Sequence, residues 1–415
     1  MTIPGGPWSG RRLAVVALVG LVAVALSVAR GLHEQVGGDF HVFWQAGRNF
    51  FTGAPLYHGD LPGARNFIYP PFAALAFGVF ALLPLQVAAT IFSLLNMALW
   101  VVAAWLTRDI VARTFPDRNP AWAPLAVAVV FTAQFFLNNF NLVQVNEVIF
   151  ILVLLGIRAS LDARDAEAAI WLVVATALKI TPIFFVIWLL LRGRRRALVA
   201  APPAALACLL VPLLLRGPAT GTAELREYYH SFLESRQHGQ VGTGDQNLGG
   251  MVYRMLRPTT NPEQLDYRLL SASEQTAAAI YRSWAAAFLV TLLASLVVLR
   301  LRGAPVTAFE LSSVFLASLL LSPITRKAHL VTLLFVAYNF LAIRLAALPR
   351  PGRVALTGLW ALMAVSGVTG RDLFGRTVYY YIGGYSVIVW TMVLLFAASV
   401  VLSHRGLAIA RSWHV

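Results

Sequence analysis

Apolar stretches long enough to cross a bilayer recur along almost the whole chain, over 13–30, 86–107, 120–137, 145–160, 168–191, 197–215, 281–301, 305–321, 329–346, 353–369 and 380–402. A helix needs about 20 apolar residues to span the hydrocarbon core, and a soluble domain has no way to bury so many such segments. Composition agrees: 59% of the 415 residues are hydrophobic and 12% are charged, against about 25% charged in soluble domains. The pattern predicts an all-α polytopic membrane protein, a single integral domain over 1–415, with about twelve transmembrane helices and short outer-face or re-entrant helices. The first run follows Arg11 and Arg12 as a signal peptide would, but no A-x-A-type site closes it, so it reads as a retained first span. The lone Cys208 lies inside an apolar run, which leaves no disulfide framework and no cysteine metal site.

Two segments resist a simple span. Tyr69–Leu83 opens with Tyr-Pro-Pro and is short, which fits a short span or an interfacial or re-entrant helix. The run 168–191 carries Lys179 near its middle, followed by Thr181 and Pro182. A charge at the bilayer centre costs at least about 2.5–3.5 kcal/mol, and the proline removes a helical hydrogen bond, so two short helices meeting at Lys179 are expected. With 69–83 non-spanning and 168–191 broken, the arginine clusters at 11–12, 108–118, 158–164, 192–196, 300–302, 344–353 and 405–411 fall on one side. The net charge of +15 is then topology information rather than a nucleic-acid signal. Clusters of this kind face the cytoplasm, so both termini are expected there, and the absence of any N-x-S/T sequon is compatible with a bacterial inner membrane. The polar segments collect on the other face, chiefly the first loop 31–85 and the long loop 216–280.

That face holds the residues able to do chemistry. Asp39, between the Gly37-Gly38 pair and Phe40-His41-Val42-Phe43-Trp44, fits either a general base at an interfacial cleft or a helix N-cap. Lys179 and Lys327 are the two lysines among 33 basic residues. Arg326, Lys327 and His329 at the start of a span suit a phosphate, aided by the helix N-terminus, or snorkelling to headgroups. Amides and carboxylates crowd 138–147, with Gln144, Asn146 and Glu147, and recur at Gln246 and Asn247. They fit sugar hydroxyls or helix-end capping. Asp39, His41 and His58 have no metal-ligand spacing.

Taken in order, Gly38-Asp39-Phe40, Val42-Phe43-Trp44, Tyr57, Tyr69-Pro70-Pro71-Phe72, Gln144-Val145-Asn146, Leu178-Lys179-Ile180-Thr181-Pro182, Gln246-Asn247-Leu248, Ser322-Pro323 and His329-Leu330 resemble glycosyltransferase family 87. The resemblance implies the GT-C membrane fold and transfer of a hexose, most often mannose, from a polyprenyl-phosphate sugar donor to a glycolipid or glycan acceptor. It further implies that Asp39 is the general base and that His329 contacts the donor phosphate. Lys179, Arg326 and Lys327 are candidates to neutralise the departing phosphate, and Asn146, Glu147, Gln246, Asn247 and Tyr69 to bind sugar or acceptor. Inversion at the anomeric carbon, no cofactor and no metal are expected, with a prenyl tail guided by the Tyr-Pro-Pro helix. Membrane lipids, but no nucleic acid, are expected as partners of a monomer. The alternative is a transporter or flippase of lipid-linked sugars, which would also use broken helices and intramembrane charge.

Overall fold

The computed structural model describes residues 10–57, 67–114, 121–234, 244–259 and 265–411. Among these the chain is helical, with no strand: α1 (Gly10–Leu32), α2 (Asp39–Thr52), α3 (Pro71–Phe77), α4 (Leu85–Thr114), α5 (Trp122–Asn141), α6 (Asn146–Leu161), α7 (Asp165–Leu178), α8 (Ile183–Leu191), α9 (Arg195–Arg216), α10 (Pro218–Glu234), α11 (Leu248–Leu256), α12 (Glu274–Leu301), α13 (Ala308–Leu320), α14 (Leu333–Leu341), α15 (Arg350–Val368), α16 (Arg371–Gly384) and α17 (Val387–Arg411). His58 lies outside the described residues.

The helices sort by which side of them is dry. Among the described residues, six are long and apolar enough to cross a membrane: α4, α5, α9, α12, α15 and the Val387–Arg405 part of α17. Several of these expose large apolar side chains, such as Val199 and Leu215 on α9 and Val290 and Leu301 on α12, a pattern that water would penalise and lipid accepts. The shorter α13 and α14 are almost wholly buried, as interior helices are. The protein is therefore an all-α, multi-pass membrane protein. Tyr69–Leu83 does not span: it holds the seven-residue α3 and a 3-10 turn, and seven residues rise only about 10 Å.

The break at Lys179 is present, and it reverses the chain. Arg194, just before α9, pairs with Asp165 at the start of α7 at 3.7 Å, so α7 leaves one end of the bundle and α8 returns to it. That end carries an ion-pair network in which Asp109 accepts from Arg113 at 2.9 Å and faces Arg158 at 3.2 Å. Arg113 and Arg164 both reach Asp162. Buried Glu310, at the start of α13, binds Trp188 (2.7 Å) and Arg192 (2.9 Å) at the end of α8. The α5–α6 turn, the Lys179 break and the segment before α14 gather at the opposite end.

There α2 and α3 pack as an aromatic plate. Phe43 lies 4.7 Å from Phe77 and 4.6 Å from Tyr69, and Phe40 lies 5.2 Å from Phe92, between ring centroids. Such pairs add about 0.5–1.5 kcal/mol each beyond area burial. Gly47 permits the α2–α3 contact, since a Cβ there would sit 2.8 Å from the Phe77 carbonyl. The far end of α2 is held by Arg216, which donates to the carbonyls of Asn49, Phe50 and Ala54 at 2.8–3.0 Å while paired with Glu224. The Arg216 side chain is 3% exposed, and its guanidinium satisfies carbonyls that a helix C-terminus leaves open. Arg216→Ala would strand buried Glu224, a loss of about 3–5 kcal/mol. The expected outcome is a lower midpoint of thermal unfolding in detergent, and an unchanged midpoint would show that the clamp contributes nothing.

Candidate active site

Four polar segments converge at this end of the bundle. Gly38 is the N-cap of α2 and makes no side-chain cap bond, so Asp39 is the first helical residue rather than the cap. An anion there is favoured by the helix dipole. Its Oδ2 accepts a hydrogen bond from Gln144 Nε2 at 2.5 Å. Gln144 belongs to the α5–α6 turn, where Val143 holds φ at +49°. A β-branched residue in that left-handed region costs of order 1–3 kcal/mol, which burial of Val143 in the aromatic core offsets.

Lys179 follows α7 with extended backbone. Its Nζ donates to Asn146 Oδ1 at 2.7 Å, and Asn146 Nδ2 donates to Asn139 Oδ1 at 3.0 Å. His329 lies in a 3-10 segment, Lys327–Thr332, that leads into α14. Its Nδ1 stands 3.3 Å from the Arg326 amide and 3.2 Å from the Ile324 carbonyl. The Ile324 carbonyl calls for a proton on Nδ1 and the Arg326 N–H for a lone pair there; the tautomer that accepts from Arg326 carries its proton on Nε2, where a neutral imidazole can donate to an anion.

Asp39, Tyr69, Gln144, Lys179, Arg326 and His329 line one cavity of about 360 Å³, together with Tyr228 of α10. Burial pushes the Tyr228 hydroxyl up to about 12, which keeps it neutral at ordinary pH. The Tyr57 hydroxyl donates to the Tyr69 carbonyl at 2.8 Å and fixes that wall. Through Pro70, Ile180 and Tyr228 the cavity borders an apolar groove of about 400 Å³ between α3, α7, α8, α9 and α10. A smaller cavity of about 40 Å³ adjoins Lys179 and His329, lined by Asn146, Thr181 and Thr332 together with apolar side chains such as Phe150, Phe185 and Phe315.

The other sequence candidates stand elsewhere. Lys327 does not line the cavity; its Nζ lies 3.3 Å from the centroid of the Tyr379 ring. Asn247 caps α11 by accepting from the Gly250 amide, and it donates to the carbonyls of Ser322 and Pro323 at 2.9 Å. The Gln246 backbone amide donates to the Thr325 carbonyl. Both residues thus brace the segment that carries Arg326 and His329 instead of facing the cavity. Glu147 is fully buried in the first turn of α6 and is likewise not among the lining residues. Sequence reading missed Tyr228, because nothing in Glu227-Tyr228-Tyr229 marks one tyrosine as facing inward. Groups of three or more residues able to hold a metal are absent among the described residues.

The family model described as glycosyltransferase family 87 matches residues 67–323. The chain is 32% identical over 243 residues to a polyprenol-phosphate-mannose-dependent alpha-(1-2)-phosphatidylinositol mannoside mannosyltransferase of Mycolicibacterium smegmatis, covering 52% of each. Its Mycobacterium tuberculosis counterpart is 29% identical over 228 residues, 51% of each. A polyprenol-phosphate-mannose-dependent alpha-(1-2)-phosphatidylinositol pentamannoside mannosyltransferase of M. tuberculosis is 26% identical over 326 residues, 78% of this chain and 69% of the relative. The chain thus spans about half the length of the first two relatives it matches. Because the family match takes in more than half of its length, this chain belongs to glycosyltransferase family 87.

Proposed function

We propose that this protein is a membrane α-mannosyltransferase that moves mannose from a polyprenyl-phosphate donor to a phosphatidylinositol mannoside or related glycolipid, with inversion. One observation carries the reading: a carboxylate (Asp39) and cationic or proton-donating groups (Lys179, Arg326, His329) share a cavity that borders an apolar groove. Such a donor has those two parts, a sugar phosphate and a long apolar tail. The relatives named for this donor and for phosphatidylinositol mannoside acceptors support the same chemistry.

In the proposed reaction Asp39 takes the proton of the acceptor hydroxyl as its oxygen bonds to the anomeric carbon. The bond from that carbon to the phosphate oxygen breaks, and polyprenyl phosphate leaves with the electron pair. Lys179, Arg326 and the Nε2–H of His329 meet the charge that develops on the phosphate. One base and one attack face convert a β-linked donor into an α-linked product. These groups supply the charge stabilisation without a divalent ion, so we propose a metal-independent reaction. The prenyl tail lies in the groove against α3 and α9. By the positive-inside rule, the ion-pair end faces the cytoplasm with both termini, and the cavity opens on the outer face of the inner membrane.

Three outcomes test these assignments. Asp39→Asn keeps the shape of the side chain and loses the base, so it should still bind donor while transfer falls by at least about a hundredfold. The assay is purified protein in lipid with labelled polyprenyl-phosphomannose and a glycolipid acceptor, with chelator present. Substantial transfer by the variant would remove Asp39 as the base, and movement of intact donor without a new glycosidic bond would favour the transporter reading. His329→Ala removes a contact made before and during departure of the phosphate. It should raise the donor KM and lower kcat, by about 2–4 kcal/mol combined, whereas unaltered donor dependence would return His329 to a structural role. For sidedness, in a Cys208→Ala background Arg326→Cys should react with an impermeant thiol reagent from outside intact cells and Arg164→Cys should not. Both side chains are more than half exposed, so the reverse labelling would invert the topology.

A further inference from the structure

The α5–α6 turn touches both halves of the cavity. Gln144 donates to Asp39, and two residues on Asn146 accepts from Lys179. Between and beside them Val143 and Val145 point the other way, 0% and 1% exposed, into the aromatic core that also holds Phe40 of α2. The turn thus alternates core and site residues over four consecutive positions. It is also held from outside itself. Asn96 Nδ2 of α4 donates to the Gln144 carbonyl at 3.2 Å, the Gln144 amide donates to the Asn139 carbonyl at 3.0 Å, and the Asn139 side chain accepts from Asn146. Val143 keeps its left-handed backbone inside this frame. Segments over-determined in this way keep a backbone conformation that the sequence alone would not adopt.

We propose that this turn is the positioning device of the site, in which Gln144 orients the Asp39 carboxylate and Asn146 orients the Lys179 ammonium, so that one rigid segment fixes base and cation relative to each other. The inference rests on the transferase reading above. Asp39 and Lys179 are far apart in sequence, one beginning α2 and the other following α7, and the turn is a short element bonded to both side chains. Both amides are neutral, so they orient charged groups without cancelling their charge. Gln144 and Asn146 are positioning residues: each acts through the charged group that it holds, and they should fail in different ways.

The test uses the full-length protein in lipid with polyprenyl-phosphomannose and a phosphatidylinositol mannoside. Gln144→Leu should lower kcat about tenfold to a hundredfold, with the donor KM within about twofold of wild type, because a displaced base costs the chemical step. In an Asp39→Asn background the same change should alter the residual rate by less than about twofold, since the group it positions has lost its function. Asn146→Leu should instead raise the donor KM about tenfold and multiply with Asp39→Asn. Should Gln144→Leu fail to fold, Gln144→Met is unbranched and of similar volume and carries the same expectation. A wild-type kcat in these Gln144 variants would overturn the inference, as would an equal fractional loss in the wild-type and Asp39→Asn backgrounds. No transfer by wild type would bring down the transferase reading and this inference with it, whereas wild-type transfer with unaffected Gln144 variants would bring down the inference alone.

Discussion

A lysine ammonium in an apolar helix bundle must find a partner, and much of the functional end of this protein is arranged around that requirement. Lys179 is bonded to Asn146, which is bonded to Asn139. To present the ammonium there, the apolar run 168–191 gives up four residues of helix and turns back on itself. The cost of irregular backbone at membrane depth is tolerable where it is enclosed by protein or lines a cavity, and Lys179 through Pro182 lie along the two adjoining cavities. The returning α8 is only nine residues long, and at its end Trp188 and Arg192 meet the buried Glu310. A buried carboxylate of that kind is kept by its partners rather than by water.

The two ends of the molecule divide the charge between them. At one end the ion pairs are numerous and, apart from the buried Arg192–Glu310 pair, partly exposed, so that each of these is worth little on its own; their value lies in fixing where the helices begin and end. At the other end charges are fewer and more deeply set, and their contacts are mostly to amides and backbone. Arg216 with Glu224 holds the far end of α2, and Arg254, buried in α11, donates to Ser386 and to the Asp245 carbonyl. These contacts hold the segments that carry Asp39, Arg326 and His329 while leaving a cavity among them. The adjoining groove has an apolar lining for the opposite reason: an alkyl chain needs surface and shape, not bonds.

Several side chains that look equivalent in the sequence have different neighbours. Of the paired cations Arg326 and Lys327, one reaches the cavity and the other stacks on Tyr379. Of the amides, Gln144 reaches a cavity carboxylate while Gln246 and Asn247 brace the backbone of residues 322–325. Spacing could not separate them, because each choice is made by what packs behind the residue and not by the residue type.

Hydropathy alone determined the all-helical, multi-pass class, since the length and apolarity of a span are properties of a local stretch. It also located the break at Lys179, where charge and proline coincide, and the short helix after Tyr69. The order of short motifs was enough to indicate the family. The tertiary structure decided which polar residues meet. Asp39, Gln144, Lys179 and His329 are brought together from four separate segments, and nothing local in any one of them specifies the others. It also decided that Glu147, Lys327, Gln246 and Asn247 stand apart from the cavity and that Tyr228 lines it. The reason is that the direction of a side chain depends on long-range packing of helices, which a periodicity of 3.6 residues constrains only to a face.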